Sequence, residues 1–209
     1  MKRATFLAFV IVVLSLPISA YQYPLSDSGV REAYFRGARK NAHTQKFLAR
    51  YTHYLPMPKS GPHVATITIE TPYCQIVEYS MTAFNFSAVD AEQKFLDAAA
   101  WIRVRVEIDL TASYTPLISS DATGIHLRPV GFWQDFKINL IQRGNTIPIQ
   151  HLAGEPLYAS VGDGGSTLTG ATVTVDFPAA MVASDTTTVQ VLGPDGQDVR
   201  SDFDLSRLP

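Results

Sequence analysis

The chain changes its hydrophobic period once. From Gly29 to Leu55, "GVREAYFRGARKNAHTQKFLARYTHYL", apolar residues recur every three or four positions, with Phe47, Leu48, Tyr51 and Leu55 on one helical face. Val30, Ala33, Tyr34 and Ala38 continue such a face less cleanly. Gly37 and "KNAHT" interrupt the pattern, so two short helices are expected. Ser26, Asp27 and Ser28 offer cap oxygens for the first and Thr44 for the second.

"LPMPKSGPH" ends helical structure, because Pro56, Pro58 and Pro62 remove amide donors and push their predecessors into extended conformations. Past it the period is two. "VATITIE" sets Ala65, Ile67 and Ile69 against Thr66, Thr68 and Glu70, and "WIRVRVEIDL" sets Ile102, Val104, Val106, Ile108 and Leu110 against Arg103, Arg105, Glu107 and Asp109. "FWQDFKINLI", "NTIPIQHL", "PLYASV" and "ATVTVDF" repeat the pattern, and residues 186–205 form a terminal hairpin turning at Pro194, Asp195 and Gly196. Pro72 opens another expected strand, Tyr73 to Ser80, with Cys74 and Ile76 on one face and Tyr73, Val77 and Tyr79 on the other. One inserted helix is expected at "VDAEQKFLDAAAW", with Asp90 as its cap.

These elements predict a mainly β protein with N-terminal helices: an antiparallel immunoglobulin-like β-sandwich preceded by a short helical pair. The expected divisions are a signal peptide over 1–20, a helical segment over 21–55, a proline-rich boundary over 56–63, and the sandwich over 64–209. The signal peptide rests on Lys2 and Arg3 before an apolar run from Thr5 to Leu16, then Pro17, Ser19 and Ala20. That run falls short of the roughly 20 residues that span a bilayer, so cleavage after Ala20 and a secreted or periplasmic location are expected. Tyr21 follows the cut and Cys74 lies far beyond it, which excludes a lipid-modified cysteine there.

Charge adds an asymmetry that the net value of −2 conceals. Residues 29–69 hold seven basic side chains against Glu32 alone, whereas residues 70–209 hold eight basic and 17 acidic ones. Basic helices therefore either dock on an acidic sandwich or face an external anion. The docked arrangement is expected, with Phe47, Leu48 and Tyr51 supplying the burial. Arg36, Arg39, Lys40, Lys46 and Arg50, interleaved with Tyr34, Phe35 and Tyr51, are the alternative: a binding surface for anionic lipid or an acidic glycan. Export argues against nucleic acid.

Little else carries chemistry. Cys74 is the only cysteine, so no internal disulfide forms, and Glu70 and Glu78 beside it oppose a thiolate; buried packing is expected. His43, His53, His63, His126 and His151 lack metal-ligand spacing and are expected at the surface or in loops. "VGDGGSTLTG" matches neither a phosphate loop nor a nucleophile elbow and is expected as an inter-strand loop. The ladder Arg103, Arg105, Glu107, Asp109 is either a recognition face or a plain solvated side, and solvation is expected. Trp133, beside Asp135, is a candidate ligand anchor unless a second layer covers it.

"REAYFRGAR", "FLARY" and "LPMPKSGPHVATITIETPYCQIVEYS" together resemble a group of uncharacterised exported bacterial proteins, in which a helical segment precedes "P-x-P-K-x-G-P" and a "T-P-Y" strand. The resemblance implies export and architecture and carries over no functional residue. The expected function is a non-catalytic binding or assembly module whose partner is another envelope or exported protein, with no cofactor, metal or catalytic residue. The alternatives are the basic-helix surface and an exported hydrolase built from His126, His151 and Asp135.

Overall fold

The computed structural model describes residues 20–98, 100–114, 117–121, 124–127, 130–161 and 165–209. The expected signal peptide, the side chain of His126, and Gly162, Asp163 and Gly164 of the glycine-rich stretch lie outside the described residues.

Helix α1 (Asp27–Ala38) starts where Ser26 Oγ accepts the amide of Gly29, and α2 (Ala42–Leu48) follows after the break expected at "KNAHT". Asn41 caps α2, not Thr44: its Oδ1 accepts the Thr44 amide at 3.0 Å. The Thr44 hydroxyl instead donates to the Arg36 carbonyl at 2.7 Å and clamps the two helices together. Strand β1 (Thr52–Tyr54) pairs antiparallel with β2 (His63–Glu70) across the proline segment.

The segment after β2 departs from expectation. Residues 72–82 are not a strand but helix α3 (Pro72–Thr82). Thr71 Oγ1 accepts the Cys74 amide and Pro72 occupies the first turn, where its missing N–H costs nothing. Tyr73, Ile76, Val77 and Ser80 are buried at spacings of three, one and three, the signature of one helical face. A further helix, α4 (Ala88–Ala98), occupies the expected site. Ser87 caps it: its hydroxyl accepts the Asp90 amide while the Asp90 carboxylate returns to the Ser87 amide, a capping box. Two helices, not one, therefore separate β2 from β3 (Trp101–Asp109).

The remaining strands are β4 (Leu117–Asp121), β5 (Gly124–Leu127), β6 (Lys137–Gln142), β7 (Asn145–Ile147), β8 (His151–Val161), β9 (Gly165–Pro178), β10 (Thr186–Leu192) and β11 (Asp198–Asp204). They form antiparallel sheets ordered β1-β2-β3-β9-β8 and β11-β10-β6-β7, with β4 and β5 as a separate hairpin. The molecule is mainly β, as the period-two segments predict. Strand β3 buries Ile102, Val104, Val106 and Ile108 with Val173, Val175 and Phe177 of β9, in one core shared with Leu140, Val189, Val191 and Phe203 of the other sheet. A register shift between Val64 and Thr66 lets Val64 and Ile67 both turn inward, which simple alternation does not allow.

Residues 132–135 are a 3-10 turn, so the expected strand begins only at Lys137. Two histidines also depart from the surface positions expected of them. His63 is buried with Nε2 3.0 Å from the Leu55 carbonyl oxygen, and His53 stacks on Phe203 at 4.2 Å. Among the described residues no helix is long and apolar enough to cross a membrane.

Helices α1 and α3 meet at Gly37. A Cβ there would sit 2.3 Å from the Val77 carbonyl oxygen and 2.6 Å from Ser80 Cβ, and the backbone cannot yield. Gly37→Ala is expected to lower unfolding stability by about 2 kcal/mol in chemical denaturation; an unchanged midpoint would show that the helices do not pack this closely.

Candidate functional site

Antiparallel register places polar side chains of the five-stranded sheet in three rows on the face opposite the core. The first row runs Tyr54, Thr66, Glu107, Thr172, Glu155, and the second Thr52, Thr68, Arg105, Thr174, Ala153. The third runs Glu70, Arg103, Asp176, His151. Neighbouring positions are about 5 Å apart across strands and about 7 Å along them. The ladder expected to be merely solvated is thus the middle column of a built surface.

The rows are internally braced. Thr52 and Thr68 hydroxyls lie 2.9 Å apart, Thr66 donates to Glu107 at 3.3 Å, and Arg103 holds Asp176 through two bonds of 2.8 and 3.1 Å. Thr66, Thr68, Arg105, Glu107 and Thr172 line a depression of about 250 Å³. Tyr54, 80% exposed, stands at one end of its row.

At the other end, α3 and α4 rise over the third row. Arg105 is shared there: its Nη2 lies 2.7 Å from Glu78 Oε1 on α3 and 2.5 Å from Glu70 Oε1 at the end of β2. The approach to Glu78 is a hydrogen bond. That to Glu70 is a close ion pair whose alignment is poor for a hydrogen bond. One cation serves two carboxyl groups, so full ionisation leaves a buried excess of negative charge. Burial and then Glu78 push the Glu70 carboxyl up to about 7, against the opposing pull of Arg105. Cys74 lies below, buried and unpaired, its thiol pushed up by burial and then by Glu70 and Glu78. It is a packing residue, as expected, although on a helix.

Two cavities flank this trio. One, of about 320 Å³, lies under α3 and α4 and is lined by Glu70, Gln75, Ile76, Glu78, Tyr79, Lys94, Phe95 and Arg103 among others. The second, of about 290 Å³, opens between α2, α3 and β1 and includes Tyr54, Thr68 and Met81.

The basic candidates are dispersed. Arg36 turns inward, donating to the Tyr73 hydroxyl at 2.9 Å and to Glu32 at 3.0 Å with its guanidinium 4.7 Å from the Phe47 ring. Arg50 donates to the Arg207 carbonyl. Arg39, Lys40 and Lys46 stay exposed, with Lys40 6.0 Å from the ring of Phe84. Electrostatic docking of basic helices on an acidic sandwich is not what the contacts show. Among the described residues one arginine pair joins the two charge regions, Arg31 with Glu92, beside a His63–Asp109 contact that is an ion pair only when the ring is protonated, and the acidic region's carboxylates pair mainly with its own arginines. Phe47 and Tyr51 are buried and Leu48 packs against the core, as expected.

Trp133 is half-buried against β8, where a Cβ on Gly154 would fall 2.2 Å from its ring, so a second layer does cover it. Asp135 is exposed in the 3-10 turn, and His151 comes within 3.9 Å of Asp176. Among the described residues no three His, Cys, Asp or Glu side chains group as metal ligands.

The raised Glu70 carboxyl makes a pH prediction. Between the ordinary carboxyl range near 4.5 and about 7, folded Glu70 keeps a proton that the unfolded chain has released. Its contribution to stability is therefore present below that window and lost as pH rises through it. Glu70→Gln removes the titration, so its stability relative to the wild type should climb from pH 5 to pH 8 in denaturant titrations. Parallel curves would contradict the assignment.

No protein-family model matches the chain and no curated protein matches it, so the site is read from its own chemistry.

Proposed function

We propose that the protein is an exported, non-catalytic binding module that recognises a glycan on the polar face of its five-stranded sheet. The observation that carries this is the three-row array itself. Thr66, Thr68, Thr172 and Thr174 are half-exposed at regular spacing around Arg105 and Glu107. Each threonine hydroxyl donates one hydrogen bond and accepts two, the same repertoire as a sugar hydroxyl. Such an array binds a polyhydroxylated chain through many weak, directional contacts. Tyr54 supplies an exposed ring against which the apolar face of a sugar stacks.

Export is part of the proposal and rests on the leader-like N-terminus and the resemblance to exported bacterial proteins. An immunoglobulin-like arrangement of the two sheets belongs to it as well, supported by antiparallel pairing throughout and a shared apolar core.

Co-sedimentation with insoluble chitin, cellulose and peptidoglycan tests the reading. The wild type is expected in the pellet with at least one of them and is released by the matching soluble oligosaccharide. Tyr54→Ala with Thr172→Val should weaken binding about tenfold, the size of a lost stacking contact, while leaving the melting temperature in place. A protein that stays in the supernatant with all three polymers has another ligand.

A further inference from the structure

The cavity under α3 and α4 adjoins the open threonine rows at Glu70 and Arg103 and has a different chemistry. Its floor is apolar, built by Pro72, Ile76 and Phe95 with the ring of Tyr79. At about 320 Å³ it lies at the small end of ligand cavities. Its charged groups are of both signs.

The negative side is the trio at Arg105, where one guanidinium faces two carboxyl groups. Glu70 lines the cavity and is 2% exposed, with its Oε1 turned to the Arg105 guanidinium at 2.5 Å. An ammonium group fits this side, because it brings three donors and a positive charge to two carboxyl groups that share a single guanidinium. Glu78, more exposed than Glu70, is the carboxylate such a group meets from the solvent side.

The positive side is Lys94. Its ammonium lies 4.8 Å from the Tyr79 ring, and among the described residues no carboxylate pairs with it. Arg103 also lines the cavity but is held bidentately by Asp176, so Lys94 is the cation available to a ligand. A ligand of either single charge leaves one of these sides unanswered.

We propose that this cavity binds a small zwitterion, an α-amino acid with an apolar side chain, its ammonium against Glu70 and Glu78, its carboxylate against Lys94 and its side chain on Ile76 and Phe95. The open sheet face has no comparable combination of enclosure, apolar floor and opposed charges. Failure of the glycan test leaves this assignment standing, and the reverse also holds.

Isothermal titration calorimetry of the purified protein with phenylalanine, phenylalaninamide and N-acetylphenylalanine tests it. Phenylalanine should bind with a dissociation constant in the micromolar to millimolar range. The amide, which lacks the carboxylate, and the acetyl compound, which lacks the ammonium, should each bind at least about tenfold more weakly. Glu78→Gln should lower the affinity for phenylalanine by about the same factor, as should Lys94→Met, which leaves the Arg105, Glu70 and Glu78 trio intact and reports even if the first variant misfolds. Absence of binding heat at millimolar phenylalanine, equal binding of the three compounds, or Lys94→Met indistinguishable from the wild type would overturn the proposal.

Discussion

One guanidinium holds the two layers of this protein together at the place where its chemistry collects. Arg105 projects from the third strand of the five-stranded sheet and contacts Glu70, at the end of β2, and Glu78, one helix later on α3. Only Thr71 separates β2 from α3, so the strand end, the helix start and the arginine are bound to one another by chain connectivity as well as by charge. An arginine shared between a partly exposed carboxylate and a buried carboxyl adds little net stability, but removing it is costly because it strands the buried Glu70. Its consequence is therefore geometric. It ties α3 to the sheet between the two cavities, whose linings share Glu70 and Glu78.

The polar face follows from the same strand. Because β3 alternates strictly, every second side chain from Arg103 to Asp109 stands on the outer surface, and antiparallel register carries that alternation to β2, β9 and β8. In the middle column Arg103 is neutralised by Asp176 in its own row, and Arg105 by Glu78 and Glu70 outside its row. Hydroxyl groups occupy most of the rest. The helical layer covers the Glu70 and Arg103 row and flanks the second row at Thr52, Thr68 and Arg105, while Thr66, Thr172 and Thr174 stay half-exposed. Arg105 lines the open, hydroxyl-rich surface and contacts two carboxyl groups that line the charged cavity beside it.

Much of this architecture was legible. The alternation in "WIRVRVEIDL", the terminal hairpin and the break between α1 and α2 are local patterns, and local patterns survive folding when no competing signal intrudes. Helix α3 was not legible in the same way. Tyr73, Ile76, Val77 and Tyr79 are residue types that favour strands, and Pro72 suits the start of either element. The distinguishing signal was Thr71 before Pro72, a cap followed by a first-turn proline, with apolar residues at 73, 76 and 77. Missing the helix also hid the site, since Glu78 reaches Arg105 from a helix. The basic candidates failed for another reason: Arg36 is consumed by Glu32, Tyr73 and Phe47, contacts that depend on where α3 lies.

The most direct test of the shared arginine is a mutant cycle on folding stability. Arg105→Met should be strongly destabilising in the wild-type background, where it leaves two carboxyl groups facing each other beneath α3. In a Glu70→Gln, Glu78→Gln background the same change should cost at least about 1 kcal/mol less. An equal penalty in both backgrounds would mean that Arg105 does not couple the strand end to the helix.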